Sequence, residues 1–192
     1  HGYAANEHLL EKYGDKVPVR EDEWDNRHFW RVSNAEQLAM SEDCGLINLS
    51  HFHMTDIEGP DHVEMMEWLC AAKIGGDANI GKGIYTHFLD DEGMVRADFT
   101  AFRMADRIRM VNGADAGPRD YHYMRRVAQD KGFDVTITDV AEKFVTIGIW
   151  GPNARVNLAK VVENPDGLSK ENFPFAAIKP VRIAGKDVSA FR

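Results

Sequence analysis

Between Gly83 and Asn112 the chain runs through three short stretches of alternating apolar and polar residues, separated by Asp90-Asp91-Glu92-Gly93 and by a second tight turn. Period-two alternation with β-branched and aromatic residues specifies strands, and Asp and Gly supply the turn geometry. The segment therefore reads as a β-meander, with Tyr85 and Asp98 on the two arms of its first hairpin. Asp98 stands between Ala97 and Phe99. A carboxylate held against apolar strand residues must be paired, hydrogen-bonded or shifted in pKa, because an unpaired buried charge is costly. Asp98 is thus the candidate working residue, with an aromatic ring near it. The bland alternative is a strand acid paired with Arg96 or Arg103.

Around the meander the pattern is mixed. Ser33-Asn34-Ala35-Glu36 has capping-box spacing and predicts a helix to about Asp43, stopped by Gly45. Leu46 to Ile57 reads as one strand, and Gly59-Pro60-Asp61 as a turn with Asp61 capping a helix that carries Val63, Met66, Trp68 and Leu69. Pro118 suits a first helical turn, and Gly132 ends that helix after Lys131. Val135–Thr138 and Phe144–Trp150 are strand-like, Gly151-Pro152-Asn153 opens another helix, and 181–191 reads as two strands about Gly185-Lys186. The expected class is α+β, with antiparallel sheets, helices on one face and ferredoxin-like modules. Residues 1–32 read as an irregular arm and 33–192 as the domain. The strand pattern runs to Arg192 with nothing to cover it, and an uncovered edge is a hazard. A piece of a longer polypeptide is expected.

Composition narrows the classes. A chain of 192 residues can bury a substantial core, and its net charge of -8 lacks the basic stripe of a nucleic-acid binder. Arg103/Arg107/Arg109 and Arg119/Arg125/Arg126 read as solvated faces, with an anion pocket as the sharper alternative. Two cysteines, Cys44 and Cys70, form no disulfide framework and no zinc pattern. No apolar run reaches the length of a membrane span, so a reducing, soluble compartment is expected, cytoplasm or an organelle matrix. His51-x-His53 could pair on a metal with Asp56 or His62, but no third ligand has diagnostic spacing and no metal is expected. Asp90–Gly93 lacks the Ca²⁺-loop layout, and Gly81-Lys82-Gly83 is not a phosphate loop.

Five stretches in order carry a resemblance: Ile47-Asn-Leu-Ser-His-Phe, Ile57-Glu-Gly-Pro-Asp, Tyr85-Thr-His-Phe-Leu, Gly93-Met-Val-Arg-Ala-Asp-Phe-Thr and Ile147-Gly-Ile-Trp-Gly-Pro-Asn-Ala-Arg. Together they resemble the glycine-cleavage T-protein (aminomethyltransferase) family, above all the folate-binding portion of dimethylglycine and sarcosine dehydrogenases or oxidases. The resemblance implies a catalytic carboxylate at Asp98, a pterin-facing tyrosine at Tyr85, a flat apolar residue at Phe52 where Met is common, and folate-pocket residues at Val111 and Asn112. It implies tetrahydrofolate as one-carbon acceptor, an N-methyl amine as donor, and FAD only in a separate upstream domain, since the Gly-rich flavin fingerprint is absent here. It also implies the remaining domains or subunits of a parent enzyme as partners, in the cytoplasm or the mitochondrial matrix. A stand-alone aminomethyl- or methyltransferase is the alternative. An iron–sulfur maintenance factor ranks last, because Ile84 stands where that branch needs a cysteine.

Overall fold

The computed structural model describes residues 5–17 and 29–192. In chain order the elements are α1 (Leu9–Tyr13), α2 (Trp30–Glu42), β1 (Gly45–Asn48), β2 (His53–Glu58), α3 (His62–Leu69), β3 (Lys82–Leu89), β4 (Val95–Arg103) and β5 (Arg107–Asn112). Then follow α4 (Gly117–Lys131), β6 (Thr136–Asp139), β7 (Ile147–Trp150), α5 (Ala154–Ala159), β8 (Ile178–Ile183) and β9 (Lys186–Phe191). Two compact units result: the described residues up to 47 with 147–161, and residues 48–146 with 162–192.

In the first unit, Tyr13, Val17 and Ala35 form a small core on which Leu9, Leu10, Trp30, Leu38 and Ala39 pack. The Tyr13 hydroxyl donates to Glu42 (2.9 Å), tying α1 to α2. The capping box expected at Ser33 does not form, because α2 already starts at Trp30 and Ser33 lies inside it. Glu36 instead accepts from the Asn6 side chain (2.6 Å). Trp24 and nearly half of the expected arm lie outside the described residues. Arm residues 9–13 and 30–32 are helical.

The second unit is built on a five-stranded antiparallel sheet of order β3-β4-β5-β2-β6. The connection β2-α3-β3-β4-β5-α4-β6 is a ferredoxin-like β-α-β-β-α-β plan with one extra strand in the middle. Alternation along each strand sends Ile57, Phe88, Phe99, Ala101, Ile108 and Met110 to one face, where Met65, Met66 and Leu69 of α3 and Met124, Val127 and Ala128 of α4 cover them. The helix ends follow the sequence signals. Pro118 sits in the first turn of α4 and Gly132 ends it at φ 76°, a left-handed conformation that glycine adopts without penalty. Asp61 precedes α3 without capping it; its carboxylate accepts from the Asp134 amide (2.7 Å).

The strand expected over 46–57 divides in two. The Ser50 amide donates to the Asn48 side chain (3.0 Å) and the Phe52 amide to the Leu49 carbonyl (3.0 Å), which turns the chain before β2. At the opposite edge of the sheet, the hairpin β8–β9 is stitched to the start of β3. Gly83 donates to Ala176 and Ile178 to Gly81, both at 2.8 Å. The Phe191 ring packs edge-on against Phe102 with centroids 4.9 Å apart, so the final strand is anchored through its last apolar residue.

Candidate functional site

The sheet face turned away from α3 and α4 is organised in rows by the strand register. One row joins His87 to Asp98; the next joins Tyr85, Thr100, Val111 and Met54; the third joins Gly83, Phe102, Arg109, Asp56 and Thr138. Phe191 lies against Phe102, and Phe144 lies 4.1 Å from the Arg109 guanidinium. The third row is therefore roofed and Met54, 7% exposed, closes the β2 end of the second, while His87, Asp98, Tyr85, Thr100 and Val111 form an open shelf.

Asp98 and Tyr85 meet on this shelf. They are diagonal neighbours across β3 and β4, and the Tyr85 hydroxyl donates to the Asp98 carboxylate at 3.0 Å. That hydrogen bond raises the tyrosine pKa above its ordinary value, because it holds the neutral phenol against a carboxylate. Neither Arg96 nor Arg103 pairs with Asp98. Arg96 stacks on Tyr123, and Arg103 is buried with its guanidinium donating to the Met104 carbonyl.

The expected shielding of Asp98 is corrected. Asp98 is exposed, and Tyr85 is 63% exposed. Ala97 and Phe99 flank Asp98 in sequence, but in a pleated strand they point to the helix-covered face while Asp98 points to the other.

Val111 lies on the shelf, beside Thr100 and Met54. Asn112 does not. Its side chain is buried on the helix side and donates to Asp120 (2.8 Å), which also accepts from Arg119 (2.9 Å). One residue further along the strand reverses the facing, so Asn112 ties β5 to α4 rather than lining the shelf. Phe52 stands just ahead of β2, its ring edge-on to His51 at 4.9 Å. His53 and Phe99 both pair with Asn112, so Phe52 and Asp98 stand at one level, each one residue beyond that pair. Between them comes Gly113, and a Cβ there would meet nothing within 4 Å.

His87 is a further shelf residue, outside the candidates named from the sequence. It pairs in register with Asp98, and its ring lies edge-on to Tyr85 with centroids 5.2 Å apart. The period-two spacing Tyr85-x-His87, taken with the hairpin register, is the signal that finds it.

In the third row, Arg109 holds Asp56 in a two-pronged ion pair (2.6 and 2.8 Å), and Arg107 bridges Asp56 (3.3 Å) and Glu58 (3.1 Å). These arginines brace the sheet. His51 and His53 do not share a face: His51 is exposed in the turn, while His53 is buried against the start of α4. Among the described residues no three His, Cys, Asp or Glu side chains cluster closely enough to hold a metal ion. Cys70 is a core thiol, its pKa pushed up to about 12 mainly by burial and secondarily by Glu67. No helix among the described residues is long and apolar enough to cross a membrane.

Comparison with known proteins adds to this geometry. Residues 5–192 match the family profile described as the GCVT N-terminal domain. Mitochondrial dimethylglycine dehydrogenase of Rattus norvegicus is 26% identical over 166 residues, covering 86% of this chain and 19% of that protein. An aminomethyltransferase of Bordetella avium is 33% identical over 124 residues, 64% of this chain and 34% of that one. Among solved structures, the glycine cleavage system aminomethyltransferase T of Bartonella henselae shares the fold with a TM-score of 0.64 at 21% identity, over 88% of this chain and 46% of that chain. The chain therefore spans between a fifth and a half of the length of these relatives.

Proposed function

Because this chain belongs to the GCVT N-terminal domain family, we propose that its open shelf binds a reduced folate and serves the transfer of a one-carbon unit from an aminomethyl or N-methyl amine donor to it. The observation that carries the reading is the Tyr85–Asp98 hydrogen bond on the uncovered face of the sheet. The residues fit a flat heterocycle. Gly113 adds no side chain next to the Asp98 end of the shelf, Tyr85 and Val111 offer apolar surface on it, and Phe52 stands just ahead of β2. Tetrahydrofolate, when bound, supplies the nitrogen that accepts the one-carbon unit.

The chain's own groups have defined tasks. The Asp98 carboxylate stabilises positive charge that develops at the donor carbon and accepts or relays a proton at its free oxygen. Tyr85 fixes that carboxylate through Oδ2, which removes rotational freedom before reaction. Val111 and Phe52 keep water from the apolar faces of the bound ring.

The finer reading places this domain in a demethylating enzyme that oxidises dimethylglycine or sarcosine with FAD held elsewhere in the polypeptide, in the cytoplasm or mitochondrial matrix. Within it, residues 33–192 are the folate-binding domain and 1–32 an N-terminal arm whose last residues, from Trp30, already belong to α2. Similarity to a dimethylglycine dehydrogenase over 86% of the chain supports that context. The second reading is a stand-alone aminomethyltransferase, favoured by the higher identity to the Bordetella avium protein. Donor choice separates the two. The polypeptide carrying this chain is assayed for methylenetetrahydrofolate formation from dimethylglycine or sarcosine, and separately from an aminomethylated carrier. Asp98→Asn is expected to lower turnover by about 10²–10⁴-fold with unchanged folding. Full turnover in that variant would contradict the role of Asp98.

A further inference from the structure

On the other side of the sheet, at the margin of α4, lies an open depression of about 470 Å³ that the folate reading does not use. This volume lies within the range of small-molecule sites, roughly 300–1,000 Å³. One wall is a helical stripe at spacing i, i+3, i+4 and i+7: His122, Arg125, Arg126 and Gln129. The other is apolar: Phe133, Val135 and Ile137, from the loop after α4 and the edge strand β6. The two walls differ in kind. One offers planar donors, the other a greasy surface.

The arginines are the unusual part. The protein carries a net charge of -8, yet among the described residues neither Arg125 nor Arg126 is in an ion pair. Their recorded contacts are with aromatic faces, Arg125 over Tyr121 at 5.6 Å and Arg126 over Tyr123 at 5.7 Å. Of the other arginines in this unit, Arg107, Arg109, Arg119 and Arg182 engage carboxylates and Arg103 and Arg192 donate to backbone carbonyls, and Arg96 alone shares the ring contact without an ion pair. Contacts at this distance from a ring use none of the guanidinium N–H donors, which remain available to take a carboxylate or phosphate in two-pronged fashion.

We propose that this depression is a binding site for a small amphiphilic anion: a carboxylate or phosphate group clamped by Arg125 and Arg126, with an apolar body against Phe133, Val135 and Ile137. The site is independent of the Asp98 shelf. The five-stranded sheet lies between them, so occupancy of one does not require the other.

The test is a titration of the 192-residue chain, followed by backbone and arginine Nε resonances, with hexanoate, hexyl phosphate, hexanol and inorganic phosphate as separate probes. Saturable shifts are expected at Val135, Ile137, Arg125 and Arg126 with hexanoate or hexyl phosphate, and whichever binds tighter identifies the head group. Hexanol and inorganic phosphate should each bind at least about tenfold more weakly, since each supplies half of the match. Arg125→Gln with Arg126→Gln should weaken the amphiphiles by about tenfold or more; both positions are exposed, so folding is preserved. Absence of saturable shifts below about 10 mM overturns the site, as does equal affinity in the double variant. Equal binding of inorganic phosphate, with Val135 and Ile137 silent, overturns the amphiphilic specificity. None of these outcomes depends on folate binding, which is read at Tyr85 and Thr100.

Discussion

Tyr85 donates to Asp98 across two strands, and that single contact governs how the tyrosine titrates. The tyrosine pKa is raised by the hydrogen bond first, with desolvation and the nearby negative charge adding in the same direction. Its contribution to stability is therefore complete below the ordinary tyrosine value and is lost as pH rises through the raised one. Asp98→Asn removes the charge and is expected to move the Tyr85 Cζ titration midpoint down toward the ordinary value near 10. An unchanged midpoint would mean that the two side chains do not meet in solution. At this scale the sequence was legible in part. It singled out Asp98, Tyr85 and Val111 as candidates, and the strand register places the three on one face. It misjudged the surroundings of Asp98 and the facing of Asn112 for a common reason. Residues adjacent in sequence point to opposite faces of a strand, and only the register says which face helices cover.

The elements depend on a few contacts that reach across them. Asp56, 3% exposed, holds Arg109 and Arg107 on β5 from β2. Asp56→Ala leaves a mostly buried guanidinium uncompensated and is expected to cost about 3 kcal/mol, read as a lower urea midpoint. Asp106→Ala, at a carboxylate 65% exposed, should stay within about 1 kcal/mol. The start of α4 is equally tight. A Cβ on Gly117 would lie 2.2 Å from Cγ of His53, so Gly117→Ala should destabilise by about 1–3 kcal/mol, and the penalty should shrink in a His53→Ala background. A full penalty in that background would place the strain elsewhere. Helix α4 was readable because Pro118 and Gly132 mark both its ends. Helix α2 was misread at its start, because a capping-box spacing is also compatible with an interior turn when Glu36 finds another partner. The turn that splits 46–57 rests on the Asn48 side chain and the Leu49 carbonyl, which period-two counting does not register.

At the scale of the whole molecule, a five-stranded sheet keeps its two faces distinct. The covered face carries the core and, at its margin, the Arg125–Arg126 depression; the uncovered face carries Asp98, Tyr85 and His87. The meander and its hairpin register, written into 83–112 by alternation and the Asp90–Gly93 turn, are what bring Tyr85 and Asp98 together. The central claim is that the uncovered face receives a reduced folate. Its most direct test is a resonance titration of the chain with tetrahydrofolate under reducing, oxygen-free conditions. Saturable shifts are predicted at Tyr85, His87, Asp98, Thr100, Val111 and Phe52, while Met66, Met124 and Ala128 of the core stay still. Shifts confined to the helix-covered side, or no saturable change at the shelf residues, would contradict it.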